Sequence, residues 1–568
     1  MPFNSYEFVF GFLPITVLIF WLLSRHINQT AATCWLLLSS IVFYAYASVY
    51  ALIIIASYIF VDYGLARLLL RLEASKQRLR KGILLCGITT NILFLAYFKY
   101  NNFFLENINA ILATNFEVAH LIFPLGVSFL TFQNIAFLVD VYEGAVTVVE
   151  PLDFLLFAFF FPRIVAGPII HYCEVIPQLK TKTPTDLSTN LAVGICLFSI
   201  GLFKKSVIAD SLSGAVGDVF DQPPYIGEND MPHTLIISWV GALAYTFQLY
   251  FDFSGYSDMA LGTARMFGVQ LPMNFNSPFK AVNVIDFWSR WHITLTRFLT
   301  TYIYTPIAIR LTRSRLSKGK TLINGSKTTV GPLFTLIFIP TMITMVISGF
   351  WHGAGWQFIL WGVLHGIYIT INQSWHLYRR IFSRQANFDA RLLRFLGSIS
   401  TFTAVVAALV LFRAASVTAA GEIFAGMAGI NGVVPYDVSI LEKIYGSIPA
   451  GIFSWELQMG QIYWIIFLLL FVRLLPNSLE LLKKFDPALD FRGSPPERSL
   501  TPAQTGIREK PVESKTDIGA VRRVINRLRY VPAEGISLTK VAAIATAIVF
   551  MLGVTALNHS SGFLYGHF

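Results

Sequence analysis

Apolar segments long enough to cross a lipid bilayer recur along the whole chain. A membrane-spanning helix needs about 20 predominantly apolar residues. Segments of that kind cover residues 8–24, 31–47, 50–70, 82–99, 119–141, 190–210, 234–251, 329–350, 354–372, 397–413, 461–477 and 538–557. The first of them has no basic region before it and no small-residue cleavage site after it, which indicates a retained helix rather than a signal peptide. This pattern predicts an all-α polytopic membrane protein.

Two stretches depart from the pattern of simple spans. Residues 154–170 are apolar, but Pro162, Gly167 and Pro168 interrupt them. Because lipid would not satisfy the backbone groups that such breaks release, we expect a re-entrant or kinked element that lines a protein cavity. Residues 274–316 mix aromatic side chains with Lys, Arg and Asp, which favours helices that lie in the membrane interface.

Composition and charge agree with this pattern and exclude other classes of protein. Hydrophobic residues make up 55% of the chain and charged residues 13%, with a mean hydropathy of +0.60, whereas soluble proteins carry about a quarter charged residues. The formal net charge is +11, but the basic residues cluster in short runs between apolar segments, as in loops at an anionic membrane surface. We therefore expect membrane lipid, and no nucleic acid, as a partner.

The distribution of basic residues also predicts the orientation of the chain. Residues 71–81 form the most basic short loop, so this loop is placed in the cytoplasm. Three predicted spans precede it, which places the N-terminus outside the cytoplasm. Residues 485–535 are rich in Pro, Ser, Glu, Arg and Lys and poor in aromatic residues, which is typical of a disordered, solvated linker on the cytoplasmic side.

Polar residues inside an apolar segment are costly and are candidates for function. Such residues interrupt the stretch 245–258: Gln248, Asp252, Ser254 and Asp258. Gly255 allows either a close backbone approach or a break of the helix. These polar groups could line a substrate path, or they could hydrogen-bond to neighbouring helices and serve the architecture alone. Because Gly-x-Ser-x-Gly is absent, a nucleophilic serine is not supported.

Two histidines stand out as candidate catalytic groups. His292 follows Trp288, Arg290 and Trp291 in the stretch predicted to be interfacial. His352 lies between Trp351 and a glycine, at the head of an apolar span. Neutral histidine is a natural general base near pH 7, and small neighbouring residues would let a ligand approach. The alternative for His292 is an ordinary surface residue of an amphipathic helix. The alternative for His352 is a packing histidine that bonds to a carbonyl group.

No metal site is predicted from the cysteines or the histidines. His365 lies more than roughly three helical turns beyond His352, and no His-Glu-x-x-His motif occurs. The cysteines lie in or beside apolar segments without CxxC spacing, and we expect them to be buried free thiols; they are Cys34, Cys86, Cys173 and Cys196.

The motif Ser348-Gly-Phe-Trp-His-Gly, which continues through Trp361-Gly-Val-Leu-His-Gly, resembles the signature of the membrane-bound O-acyltransferase (MBOAT) family, in its bacterial branch that includes alginate O-acetyltransferase. Further similar motifs occur in order at residues 124–133, 139–142, 161–168, 250–258 and 274–278. The resemblance implies a ring of tilted transmembrane helices, with re-entrant and interfacial helices around a central tunnel. In that tunnel a cytoplasmic acyl donor meets an acceptor from the other side.

The resemblance also implies the site and its substrates. His352 takes the position of the catalytic histidine, and His292 is the second polar residue facing it. The residues expected along the tunnel are Trp291, Trp351, Arg290, Asp252, Gln248 and Asn274. The expected donor is acetyl-CoA, with no permanently bound cofactor or metal. The expected acceptor is a polysaccharide, reached directly or through a periplasmic acetyltransferase partner, at the inner membrane of a bacterium with the N-terminus in the periplasm.

The same resemblance suggests a division of the chain: a core over residues 1–415, an extra loop and transmembrane helix over 416–484, the linker over 485–535 and a C-terminal transmembrane helix over 536–568. The sequence departs from the branch at Thr300-Thr301, where its members carry Arg-Asp. This change concerns recognition of the acceptor or of a partner.

Other functions stay open at this point. Within the same chemistry, the chain could transfer D-alanyl groups to teichoic acid or acyl groups to peptidoglycan. From a different class, it could be a transporter whose polar residues bind cargo, or a non-catalytic scaffold of a polysaccharide export complex.

Overall fold

The computed structural model describes residues 1–117, 124–180, 187–221, 233–323, 330–382, 390–433, 450–489, 539–557 and 562–564. Within these ranges the regular structure is helical, apart from an isolated β-bridge between Pro272 and Leu489.

The first half of the chain, where it is described, forms helices joined by short connections. They are α1 (Leu13–His26), α2 (Gln29–Ala47), α3 (Val49–Arg71), α4 (Gln77–Leu95), α5 (Asn101–Leu112), α6 (Val127–Tyr142), α7 (Pro151–Phe159), α8 (Tyr172–Lys180), α9 (Leu187–Phe203), α10 (Ser213–Phe220) and α11 (Leu235–Met266). π-Helical turns precede α1 and follow α4 and α9, at Glu7–Phe12, Ala96–Tyr100 and Lys204–Ala209, and a 3₁₀ turn lies at Asp210–Leu212.

The second half of the described chain combines short helices with long ones. They are α12 (Val284–Trp288), α13 (Ile293–Leu299), α14 (Thr305–Ser317), α15 (Val330–Leu333), α16 (Ile339–His352), α17 (Trp356–Phe382), α18 (Ala390–Arg413), α19 (Val417–Met427), α20 (Ala450–Leu474), α21 (Ser478–Leu481) and α22 (Lys540–Thr555). π-Helical turns occur at Thr300–Tyr304 and Phe334–Phe338, and 3₁₀ turns at Pro278–Lys280 and Lys483–Phe485.

Among the residues described, seven helical segments are long and apolar enough to cross a membrane: Glu7–His26, Gln29–Ala47, Val49–Arg71, Gln77–Leu112, Leu187–Phe220, Val330–His352 and Arg391–Arg413. The predicted segments 119–141, 461–477 and 538–557 correspond to the shorter apolar helices Val127–Tyr142, Gly460–Leu474 and Lys540–Thr555. Residues 119–123 of that prediction lie outside the described ranges. The prediction of an all-α polytopic membrane protein is confirmed.

Helix α11 is the central element of the fold, because protein surrounds it on every side. All its residues from Ala244 to Met266 are buried, so its polar side chains face other helices instead of lipid. Gly255 does not break the helix. A Cβ atom at Gly255 would lie 2.7 Å from the carbonyl oxygen of Gly201 in α9, and one at Gly201 would lie 2.5 Å from that of Gly255. The glycines therefore allow the two backbones to touch.

The predicted break within residues 154–170 is present. Helix α7 ends at Phe159, and the buried chain that follows is irregular. The Nη2 group of the fully buried Arg163 donates to the carbonyl oxygens of Phe157 (3.1 Å) and Ala158 (2.8 Å) at the end of α7. The amide of Ile169 donates to Oγ1 of Thr294 (3.0 Å). The backbone groups that the break releases thus bond to protein, as a buried loop at membrane depth requires.

Three expectations need correction. Residues 274–299 are mostly buried inside the protein and do not lie along a surface; α14 is the partly exposed helix of the stretch 274–316.

The linker begins later than residue 485, because Leu489 pairs with the backbone of Leu271 and Met273; residues 490–535 lie outside the described ranges. The cysteines are free, but they are not buried by protein: three are exposed and Cys196 is partly exposed. In a membrane protein an apolar residue can face lipid, and burial in protein does not follow from its setting.

The backbone contact between α9 and α11 predicts the effect of adding a methyl group. Gly201→Ala places its Cβ atom against the carbonyl oxygen of Gly255, so we expect a loss of about 1–3 kcal/mol in the free energy of unfolding. Gly64→Ala in α3 is the control, because no atom lies within 4 Å of the added carbon. Thermal unfolding of the purified protein in detergent measures both. Equal midpoints for the two variants would contradict the contact.

Candidate active site

His352 is the last residue of α16 and is 4% exposed. Aromatic rings surround its imidazole, with centroid distances of 4.9 Å to Trp351, 5.0 Å to Trp361 and 5.2 Å to Phe412. The chain turns at Gly353, where a Cβ atom would lie 2.1 Å from the ring of Phe358. A glycine is therefore required directly after the histidine.

Side chains from the π-helical turn after α4 hold the end of α16. The last carbonyl groups of a helix have no partners within the helix. The Nζ group of Lys99 donates to the carbonyl oxygens of Trp351 (2.6 Å) and His352 (3.0 Å). The hydroxyl group of Tyr100 donates to that of Phe350 (2.6 Å). A cation at a helix C-terminus also interacts favourably with the helix dipole, so Lys99 fixes the backbone that carries His352.

His292 lies in a turn between α12 and α13 and not within a helix. It is 1% exposed, and its φ angle of 44° is in the left-handed region, which costs a non-glycine residue about 1–3 kcal/mol. Asn274 maintains this turn: its carbonyl oxygen accepts from the amide of Ile293 (3.0 Å), and its Oδ1 accepts from Oγ1 of Thr294 (2.6 Å). The same Oδ1 lies 3.3 Å from Nδ1 of His292.

The indole of Trp351 connects the two histidines. Its ring centroid lies 4.9 Å from that of His352 and 6.4 Å from that of His292. Phe253 of α11 packs edge-on against His292 at 4.8 Å, and Phe129 contacts both Trp351 and His292. The structure thus brings the two predicted histidines into one buried aromatic cluster, in which polar interactions are stronger than in water.

Three other residues predicted along the tunnel have different neighbours. Trp291 stacks on Phe287 at 5.6 Å. Arg290 is about one-third exposed and forms an ion pair with Asp286 (2.6 Å). Gln248 is buried in α11, one turn before Asp252. Their assignment to the tunnel stays a prediction.

Asp252 belongs to a buried ionic cluster. Lys205 contacts Oδ1 of Asp252 (2.7 Å) and Oδ1 of Asp210 (2.8 Å), and the neighbouring Lys204 contacts Asp258 (2.6 Å). The amide of Leu564 donates to the second carboxylate oxygen of Asp252 (3.2 Å). These contacts attach α11 to the π-helical turn after α9 and to residues 562–564, which supports an architectural role for the two aspartates.

His365 is a packing residue. Its Nδ1 accepts a hydrogen bond from the indole nitrogen of Trp288 (3.3 Å), and its ring lies 4.8 Å from Trp361. It therefore joins α12 to α17 behind His352.

The sequence alone did not reveal Lys99, Tyr100 or Thr294. A lysine at the end of a predicted span ordinarily indicates the membrane surface. An adjacent Lys-Tyr pair at a span end is at most a weak signal of a helix cap, because its partner lies about 250 positions away in the sequence.

Comparison with known proteins identifies the class. The model of MBOAT, the membrane-bound O-acyltransferase family, matches residues 39–323, a range that includes His292 and ends before His352. The chain is 38% identical to the peptidoglycan O-acetyltransferase of Helicobacter pylori, over 76% of this chain and 80% of that protein. It is 34% identical to a probable alginate O-acetylase of Pseudomonas aeruginosa, over 75% of each chain. The teichoic acid D-alanyltransferase of Bacillus subtilis is 29% identical over 44% of this chain and 59% of its own.

The chain therefore belongs to the MBOAT family and is a membrane O-acyltransferase, which confirms the resemblance seen in its motifs.

The hydrogen bonds of Thr294 predict a test of the His292 turn. Thr294→Val removes a buried hydroxyl group that bonds both Ile169 and Asn274, so we expect a loss of about 1–3 kcal/mol in the free energy of unfolding and slower acyl transfer. Thr294→Ser keeps the hydroxyl group and should behave nearly as the wild type. Unfolding in detergent and turnover measure the two effects; a serine variant as impaired as the valine variant would show that the hydroxyl group is not responsible.

Proposed function

We propose that this protein transfers an acetyl group from a cytoplasmic thioester to a hydroxyl group of a cell-surface glycan, either an exported polysaccharide or peptidoglycan. The observation that carries the proposal is the buried pair of His352 and His292 around the indole of Trp351. The names of the Helicobacter and Pseudomonas relatives support acetyl as the acyl group and a glycan as the acceptor.

The distribution of charge supports a cytoplasmic donor and a periplasmic acceptor. The three helices α1 to α3 precede the basic loop 71–81. With that loop in the cytoplasm, the proposed location of the N-terminus is the periplasmic side of a bacterial inner membrane. Helix α4 then runs away from the cytoplasm, and Lys99, in the π-helical turn that follows it, contacts the backbone of His352. The catalytic end of α16 is thus closer to the periplasmic side.

A cavity at the start of α17, two residues beyond His352 in the chain, supports entry of the acceptor from that side. It has a volume of about 440 Å³ and is lined in part by residues 354–357. Its wall includes the rings of Phe103 and Trp356, whose centroids are 5.9 Å apart, and the side chain of Glu106. Aromatic faces beside polar groups suit a sugar, which presents C–H groups on its faces and hydroxyl groups at its edge.

The proposed mechanism uses His352 as a general base. Its imidazole accepts the proton of the acceptor hydroxyl while the hydroxyl oxygen attacks the thioester carbonyl. The carbon–sulfur bond then breaks, and the imidazolium returns the proton to the thiolate, so that an ester and a free thiol are formed. A positioned base contributes about 10²–10⁴-fold, and holding both substrates in one site adds to this. His292 orients the acceptor or stabilises the negative charge on the carbonyl oxygen.

Acetyl-CoA is the proposed donor, used as a substrate and not as a bound cofactor. The acceptor is reached directly or through a periplasmic acetyltransferase partner. D-Alanyl transfer is less well supported, since the match to a D-alanyltransferase is shorter and less identical. Family membership argues against a transporter or a non-catalytic scaffold, because the matched family and relatives are named for transfer reactions.

His352→Ala should lower acetyl transfer by about 10²–10⁴-fold, because the general base is lost. The assay follows radiolabelled acetyl from acetyl-CoA into glycan, in membranes that contain equal amounts of folded protein. His26→Ala is the control, since His26 is exposed at the end of α1. His365→Gln keeps an acceptor for Trp288 and should retain activity. A folded His352→Ala variant with wild-type activity would remove this residue from the mechanism.

A further inference from the structure

A second cavity, of about 640 Å³, lies at the opposite end of α17 from the catalytic histidine. The start of α12, the C-terminal half of α17 and the N-terminal half of α18 enclose it. Tyr368 and Trp375 of α17 and Ala404 of α18 supply much of its apolar lining. The mechanism of acetyl transfer makes no use of this cavity.

The floor of this cavity is firmly packed. Helix α18 crosses directly over the backbone before α12, because a Cβ atom at Gly397 would lie 2.5 Å from the carbonyl oxygen of Val282. Oγ of Ser398 donates to the carbonyl oxygen of Ala281 (2.9 Å) and accepts from Arg473 (2.5 Å). The cavity is therefore part of the helix packing and not a gap between loosely attached elements.

The mouth of the cavity is basic. His376 and Arg394 line it, and Arg391 lies on α18 about one turn away from Arg394. In the orientation proposed above, α17 runs from the periplasmic side to the cytoplasm, so this mouth lies at the level of the anionic headgroups of the inner leaflet.

The outer side of the same cavity faces hydrocarbon. Ile371 is 62% exposed and Phe395 is 62% exposed, on the two helices that flank the opening. The half-exposed Trp375 and Tyr378 stack with ring centroids 6.0 Å apart. Tryptophan and tyrosine concentrate at the boundary between headgroups and hydrocarbon. The opening thus presents an apolar surface beside a basic one, which is the chemistry of a phospholipid.

We propose that this cavity binds one anionic phospholipid from the inner leaflet. Its phosphate contacts Arg394 and His376, and one acyl chain lies along Tyr368 and Ala404. Arginine binds phosphate with paired charge-assisted hydrogen bonds. A zwitterionic lipid would fit the apolar part equally well but would leave the basic mouth less well compensated.

The bound lipid would stabilise the wall behind the active site. Tyr368 contacts His365 with ring centroids 5.8 Å apart. Trp361 contacts both His365 at 4.8 Å and His352 at 5.0 Å. One continuous row of rings therefore runs from the lipid cavity to the catalytic imidazole, along one face of α17.

Lipid titration of the delipidated full-length protein, followed by native mass spectrometry, tests this proposal. We expect one saturable site for phosphatidylglycerol and weaker binding of phosphatidylcholine with the same acyl chains. Arg394→Gln should weaken phosphatidylglycerol binding roughly fivefold, since one basic residue near the surface contributes about that factor. Ala404→Phe should weaken both lipids by filling the cavity. Arg78→Gln, which removes an exposed arginine from the other basic loop, should have no effect.

Three results would overturn the proposal: equal affinity for the two lipids, unchanged binding in both Arg394→Gln and Ala404→Phe, or displacement of the lipid by acetyl-CoA. The last of these would assign the cavity to the acyl donor. Lipid binding by His352→Ala should equal that of the wild type, so this proposal and the proposed acetyl transfer can fail separately.

Discussion

Every backbone group that leaves a helix at membrane depth must find a partner within the protein, because lipid offers none. This constraint explains the placement of the buried charges near the site. Arg163 bonds the last carbonyl oxygens of α7 where the chain becomes irregular. Lys99 bonds the last carbonyl oxygens of α16 where the chain turns at Gly353. In both cases the helix stops inside the protein instead of crossing the membrane as a simple span. A long cationic side chain bonds the carbonyl groups at its end.

The proposed catalytic chemistry depends on these interrupted helices. A histidine in the middle of an intact helix would pack against its neighbours, as His365 does. His352 instead ends a helix, and the residues that follow its turn, 354–357, line a cavity. His292 lies in a strained turn held by Asn274, and the indole of Trp351 separates the two imidazoles. In the proposed reaction, these buried aromatic surroundings would keep water away and so favour transfer of the acyl group to the acceptor.

The sequence predicted the features that depend on local pattern. Apolar length predicted the spans, and the prolines and glycine within residues 154–170 predicted the break. The motif around His352 predicted the family. Features that depend on tertiary contacts were not predictable: Lys99 caps a helix about 250 positions away in the sequence. Gly255 allows either a break or a close contact, and only the facing Gly201 decides between them. The exposed cysteines show that an apolar segment does not reveal which of its faces meets lipid.

The central claim is that the cap on α16 positions His352, and a double-mutant cycle on turnover tests it most directly. Lys99→Met and Tyr100→Phe should each lower kcat, by up to about 100-fold for the lysine, with little change in the KM for acetyl-CoA. Lys99→Arg should restore much of the loss, and the exposed Lys76→Met should have no effect. Lys99 and Tyr100 both bond the end of α16. The decrease in kcat of the double variant should therefore be smaller than the product of the two single decreases. Wild-type kcat in folded Lys99→Met protein would contradict the account.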